Sequence, residues 1–246
     1  MSPTADLPAA LDALLAQMED QARQRGLPWV TLSYAQSLDG SIAARRGAPL
    51  ALSGPATLEI THRLRARHET ILVGIGTLLA DDPRLNVRLA PGDDPQPVVL
   101  DSRLRFPLEA RLLRGRKPPW IMTSQKASPE REAALVQAGV RVFRAATERI
   151  KPGEVLQLLA GEGVCSLMVE GGAQVITAFL QARLVDALVI TVSPLLVGGV
   201  KAVEGLLSND ETASGPEGFP RLEKSGVLRL GDDLLVWGRP RWFAEG

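Results

Sequence analysis

The spacing of apolar residues changes several times along the chain, and each change marks an element. Leu11, Leu14, Leu15, Met18 and Ala22 recur at three and four residues, which predicts one amphipathic helix over about 8–24. Gly26 and Pro28 stop it, because glycine suits the position past a helix end and proline cannot extend the helix. Trp29–Tyr34, rich in aromatic and β-branched residues, reads as a strand. A polar loop with Asp39-Gly40 and Arg45-Arg46-Gly47 follows. Ser53 as N-cap and Pro55 in the first turn then predict a helix to about Arg67. Short apolar runs at Ile71–Val73, Pro97–Leu100, Trp120–Thr123, Val140–Phe143, Ser166–Val169 and Leu188–Val192 have strand length. Helical patterns separate the later runs: one starts at Ser128-Pro129-Glu130 and ends at Gly139, others cover Glu154–Ala160 and Gly172–Ala182. In the tail, Val227–Leu230 and Leu234–Trp237 flank Gly231-Asp232-Asp233 as a hairpin. This alternation predicts an α/β fold: three layers, a mostly parallel mixed sheet with helices on both faces, and a C-terminal antiparallel hairpin at an edge. No linker divides it, so residues 1–27 are expected to form a helical extension and 28–246 a single domain.

Composition narrows the function classes. The 246 residues are 45% hydrophobic and 23% charged, ordinary for a globular protein. With 28 basic and 28 acidic residues the net charge is zero, which gives no electrostatic footprint for nucleic acid. The first residues lack the basic and apolar regions of an export signal. The apolar stretch Leu184–Val200 is broken by Asp186, Ser193 and Pro194, so neither export nor membrane insertion is expected, and the location is read as cytoplasmic. One cysteine, Cys165, excludes an intramolecular disulfide and a Cys-rich zinc site, and is expected to be a small buried residue. The two histidines, His62 and His68, lie six apart and point in different directions on a helix, so no metal site is expected. Of the 28 cations 23 are arginines, so position rather than residue type must single out a functional one.

Four segments carry candidate chemistry. Gly74-Ile75-Gly76-Thr77 and Glu170-Gly171-Gly172-Ala173 both leave a strand and open a helix, where glycines admit a ligand close to the backbone and free amides face a phosphate. A glycine pair after a strand is by itself more often just a tight turn; two together raise the case for an extended phosphate ligand such as a dinucleotide. Glu170 sits at a strand C-terminal end, where α/β proteins contact ligands. Asp81-Asp82-Pro83-Arg84-Leu85-Asn86-Val87-Arg88 offers a carboxyl that sequestration would turn into a general acid, and Arg88 as a fork for phosphate. Ser37–Ala43 reads as a structural turn.

In this order these segments, with Thr31–Gly40, His62–Arg65, Val99–Ser102 and Pro194–Gly199, resemble the riboflavin-pathway pyrimidine reductases, the family that contains the C-terminal reductase half of RibD-type proteins. The resemblance implies a dihydrofolate-reductase-like fold, a homodimer, and NADPH as cofactor. It implies reduction of the ribosylamino group of a pyrimidine ribosyl 5′-phosphate to ribitylamino, on the aminouracil or, alternatively, on the diaminopyrimidinone. It places Gly171, Gly172, Ala173 and Gln174 at the cofactor pyrophosphate, with Ala35, Ser53, Thr77 and Ser102 facing the cofactor. Arg65, Asp81, Leu85, Arg88 and Glu170 match positions around substrate: Arg65 and Arg88 as phosphate candidates, Asp81 as the catalytic proton source. Ser33 stands where bifunctional bacterial members commonly have Lys, and Ala51-Leu52-Ser53-Gly54 where they have Trp-Ile-Thr-Ser. Residues 1–27 are too few for the zinc deaminase domain of such members, so a stand-alone reductase is expected. An NADPH reductase of another heterocycle and a non-catalytic nucleotide-binding module are the competing readings.

Overall fold

A computed structural model describes residues 6–206 and 219–242. Nine strands form one sheet: β1 (Trp29–Ser37), β3 (Thr70–Gly74), β4 (Gln96–Leu100), β5 (Trp120–Thr123), β6 (Arg141–Arg144), β7 (Ser166–Val169), β8 (Ala187–Ser193), β10 (Arg221–Leu230) and β11 (Asp233–Arg241). Their order is β10-β11-β8-β1-β7-β3-β4-β5-β6. All neighbours from β8 to β6 pair in parallel, and the β10–β11 hairpin joins β8 antiparallel. A separate ribbon pairs β2 (Ser41–Ala43) with β9 (Val200–Lys201).

Alternation along the central strands fills both faces, as a doubly covered parallel sheet requires. On one side Leu72, Val98, Met122 and Val169 pack under α6 (Pro152–Gly161) and α7 (Ala173–Gln181). On the other, Ile71, Val73, Val99 and Ile121 meet α4 (Ile75–Asp81) and α5 (Pro129–Gln137). Beside them Trp29, Met168 and Val189 pack with α3 (Pro55–Ala66) and with Leu11, Leu14 and Leu15 of α1 (Ala9–Leu15).

The expected long N-terminal helix is instead two: α1 ends at Leu15, Gln17 tightens the turn onto the Leu14 carbonyl, and α2 (Met18–Arg25) restarts. Met18 and Ala22 stay buried after the break, which is why periodicity does not reveal it. Arg25 fastens α2 to the sheet, its guanidinium meeting Asp186 at 2.6 and 2.8 Å while Asp186 also accepts the Val30 amide. The expected Ser53 cap is also displaced. Gly54 is the N-cap of α3, and its amide and the Thr57 hydroxyl donate to the Asp233 carboxylate from the distant hairpin at 2.7 and 2.6 Å. Cys165 is only half-buried, because it precedes β7 at the sheet's N-terminal edge rather than lying within it.

Candidate active site

The chain runs outward from β1 through β3 to β6, returns to insert β7 between β1 and β3, and places β8 on the far side of β1. Loops at the carboxyl ends of strands on either side of such a reversal diverge, and the crevice between them is where α/β sheets hold ligands. A cavity of about 610 Å³ occupies this crevice. Its walls come from the ends of β1 and β7, the starts of α4 and α7, one face of α3, and the loop between β2 and α3.

The two glycine turns are pressed together here. A Cβ on Gly171 would lie 2.6 Å from Val175 Cβ, and one on Gly172 would lie 3.0 Å from Thr77 Oγ1, so the cradle closes only around glycine. Gly172 caps α7, its carbonyl taking the Val175 and Ile176 amides, which leaves the Ala173 and Gln174 amides without intrahelical acceptors at the cavity wall. Ala173 and Gln174 line the cavity with them, as do Thr77, Ala35 and Ser53. Ser102 does not: it is exposed after β4, its carbonyl accepting the Ser124 hydroxyl at 2.8 Å.

At the polar end, Arg65 of α3 and Glu170 after β7 form a bidentate pair, Nε to Oε1 at 2.8 Å and Nη2 to Oε2 at 2.7 Å. Arg65 Nη1 donates to the Asn86 carbonyl at 3.0 Å, so all three guanidinium nitrogens are engaged. Burial works against the Arg65 charge, but the Glu170 carboxylate outweighs it and holds the pKa above its ordinary value. Asp81, the last residue of α4, lines the cavity while remaining largely exposed, and partial desolvation of its carboxyl raises its pKa. After it the chain takes left-handed turns at Asp82 (φ 39°) and Leu85 (φ 50°). Leu85, 2% exposed, plugs the core beside the cavity rather than lining it, and this burial offsets a left-handed backbone cost of about 1 kcal/mol. Arg88 also lies outside the lining; its amide donates to His62 Nδ1 at 3.1 Å and its Nη1 to Asn86 Oδ1 at 3.2 Å. Its charge still feels Arg65, Arg84 and Glu170, and burial followed by the two arginines lowers its pKa.

Among the lining residues that were not singled out in the sequence as site residues, three carry polar groups of note. Tyr34 has its pKa raised to about 12 by burial, so its hydroxyl keeps its proton. Thr191 of β8 neighbours Ala35 in the sheet. Arg46 comes from the polar loop after β2; the doublet Arg45-Arg46 was its sole signal. The Asp39 turn is structural, as expected: its carboxylate accepts the Val197 and Gly198 amides, while Lys201 Nζ at 2.6 Å and the Ser37 and Ser41 hydroxyls, with the Val197 amide, hold its pKa well below the carboxylate range.

Fold and site together define an α/β protein with a cavity, walled by two glycine turns and a buried ion pair, over the carboxyl ends of its central strands. The RibD C-terminal domain family model matches residues 28–236, and the chain belongs to that family. It is 39% identical over 212 residues to the 2,5-diamino-6-ribosylamino-4(3H)-pyrimidinone 5′-phosphate reductase of Methanothermobacter thermautotrophicus, covering 85% of this chain and 96% of that protein. It is 35% identical over 223 residues to the riboflavin biosynthesis protein RibD of Bacillus amyloliquefaciens, where the match takes in 90% of this chain but spans 60% of the relative's length. Among solved structures, the Thermotoga maritima diaminohydroxyphosphoribosylaminopyrimidine deaminase/5-amino-6-(5-phosphoribosylamino)uracil reductase superposes with a TM-score of 0.73 at 26% identity, over 90% of this chain and 59% of that one.

Proposed function

We propose that the chain is an NADPH-dependent reductase of riboflavin biosynthesis, converting the ribosylamino side chain of a pyrimidine 5′-phosphate to a ribitylamino side chain. The observation that carries this reading is one cavity in which the α7 amides and Thr77 face the acid Asp81 and the Arg65–Glu170 pair. The glycine cradle suits a pyrophosphate: Gly171, Gly172, Ala173 and Gln174 offer amides beside the cavity, and the bare glycines let this turn pack tightly against Val175 and Thr77. When bound, the reduced nicotinamide supplies a hydride, two electrons, to C1′ of the ring-opened imine. Asp81 holds the proton that the side-chain nitrogen gains as C1′ is reduced, so one proton is consumed per cofactor oxidised. Glu170, locked by Arg65, presents a fixed carboxylate edge that orients the substrate, and Arg88 lies within electrostatic reach of that pair. Ala35 and Ser53 on the cavity wall and Ser102 beyond it complete the cofactor track, while Leu85 shapes the substrate end. Most of the acceleration comes from holding donor carbon and C1′ together.

The archaeal relative's name supports the diaminopyrimidinone as the base, and its match runs nearly end to end. The Thermotoga neighbour's name supports the aminouracil. A homodimeric, cytoplasmic protein completes the reading; β10 is the outer strand, and its Val227 is 63% exposed beside Leu228, apolar surface that a second copy would cover. The test is NADPH oxidation with both ribosylaminopyrimidine phosphates side by side, and with NADH in place of NADPH. Turnover of one base in preference to the other assigns the substrate; turnover of neither overturns the proposal.

A further inference from the structure

Outside the cavity lining, Asn86, Val87 and Arg88 lie against α3, and each is held on its backbone by a different side chain. The Asn86 carbonyl accepts Arg65 Nη1 at 3.0 Å, the Val87 amide donates to Asp94 Oδ1 at 2.8 Å, and the Arg88 amide donates to His62 Nδ1 at 3.1 Å. Both ends of the segment are pinned as well. Leu85 plugs the core before it. After it, Gly92 comes so close to α3 that a Cβ there would fall 2.5 Å from Ala66 Cβ. The backbone is thus fixed while the Arg88 guanidinium stays available, with Asn86 Oδ1 its one partner among the described residues. Asn86 touches the guanidinium groups of both Arg65 and Arg88, so the segment ties Arg88 to the Arg65–Glu170 pair.

Packing alone does not account for a histidine at position 62. The residue is 0% exposed. An amide can only donate, so Nδ1 is the acceptor for Arg88 and the neutral ring carries its proton on Nε2. That Nε2 is buried and meets no hydrogen-bond partner among the described residues. A buried N–H without a partner forfeits its hydration, a cost that a leucine of similar size would not incur. What favours the histidine is therefore the work of Nδ1. We infer that His62 is a positioning residue of the reductase: by holding the Arg88 amide it sets where the Arg88 guanidinium stands beside the Arg65–Glu170 pair. Fully buried, His62 reaches no ligand itself and acts through Arg88.

The inference rests on the reductase reading, in which Arg88 meets the substrate, and the experiment separates the two. In the full chain, His62→Leu should raise KM for the pyrimidine substrate by about 3- to 10-fold, the worth of one hydrogen bond, with kcat and NADPH affinity nearly unchanged. His62→Asn, which returns an acceptor oxygen near the Nδ1 position, should recover part of the loss. Arg88→Ala should raise KM by itself, and adding His62→Leu to it should raise KM no further, since no guanidinium is left to position. Hydrogen exchange of peptides containing Arg88 should be faster in His62→Leu than in the wild type. Should His62→Leu not fold, His62→Gln takes its place in the cycle, because its oxygen reaches the Nε2 rather than the Nδ1 position. An unaltered KM, a fall confined to kcat, or an equal further rise in the Arg88→Ala background each overturns the inference. Wild-type protein that reduces neither pyrimidine overturns the reductase reading and this inference together, whereas failure in the variants alone leaves that reading standing.

Discussion

The Asp81 carboxyl makes no hydrogen bond to any described residue, and partial desolvation at the cavity wall lifts its pKa above the ordinary carboxylate value. Both properties suit a group that must carry a proton and release it. A general acid acts in its protonated form, so kcat should fall as pH rises through that raised pKa. Asp81→Asn should remove this limb of the profile and lower kcat by about 10²- to 10⁴-fold, with NADPH affinity nearly unchanged. Steady-state pH profiles with fluorescence titration of NADPH measure both; a variant that keeps its rate and its pH dependence would take Asp81 out of the mechanism. At this scale the sequence picks out Arg65, Asp81 and Glu170, which the fold brings to one cavity, and is silent about their pairing. Arg65 and Glu170 are 105 residues apart, and their bidentate contact exists only because α3 and the end of β7 converge on one crevice.

Elements show the same division. β5 and β7 are where the apolar runs place them, since a continuous buried run admits little slippage on a doubly covered sheet. The ribbon β2–β9 was not legible: its strands are three and two residues long, and the paired Ser41 and Lys201 lie 160 residues apart in the sequence. The hairpin also starts earlier than its apolar run, at Arg221, because pairing to β11 continues through a mostly exposed segment and an irregularity between Glu223 and Gly226. The cap of α3 is the most instructive miss. A serine before a proline is a sound local cap signal, yet the acceptor is supplied by Asp233, 179 residues away, to the Gly54 amide. That carboxylate ties the C-terminal hairpin to the helix bearing Arg65. Asp233→Ala should therefore cost about 1–2 kcal/mol, the range for a lost cap and charged hydrogen bond, and Asp233→Asn less, since its amide oxygen still accepts. Urea unfolding of both variants measures this; a change under a few tenths of a kcal/mol would mean that the hairpin and α3 are held together by packing alone.

Across the whole molecule, the two histidines couple stability to acidity. His68 sits in a closed chain: Trp29 Nε1 donates to Thr31 Oγ1 at 3.1 Å, the Thr31 hydroxyl meets His68 Nε2 at 2.7 Å, and His68 Nδ1 donates to the Leu64 carbonyl at 2.6 Å. This arrangement uses the neutral ring. His62 is likewise neutral, since its Nδ1 accepts the Arg88 amide. Burial, then the Arg65 and Arg88 charges, lower the His62 pKa to about 4; burial also brings His68 to about 4. The ordinary value is 6.5, so the unfolded chain takes up protons that the folded protein refuses. Stability is complete above pH 6.5 and declines as pH falls toward 4, by up to about 3 kcal/mol per histidine. Asp81 and Asp101, whose pKa values burial raises, run with the opposite sign, so the wild-type curve alone mixes the two effects. Comparison with His62→Gln isolates one histidine. That variant should be less stable at pH 7.5, because the ring packs in the core, but should lose less of its remaining stability between pH 7.5 and 4.5 in urea titrations. Parallel losses in the two proteins would show that protonation of His62 is not what acid acts on, and the segment that His62 holds at Arg88 would then be stable to acid on its own.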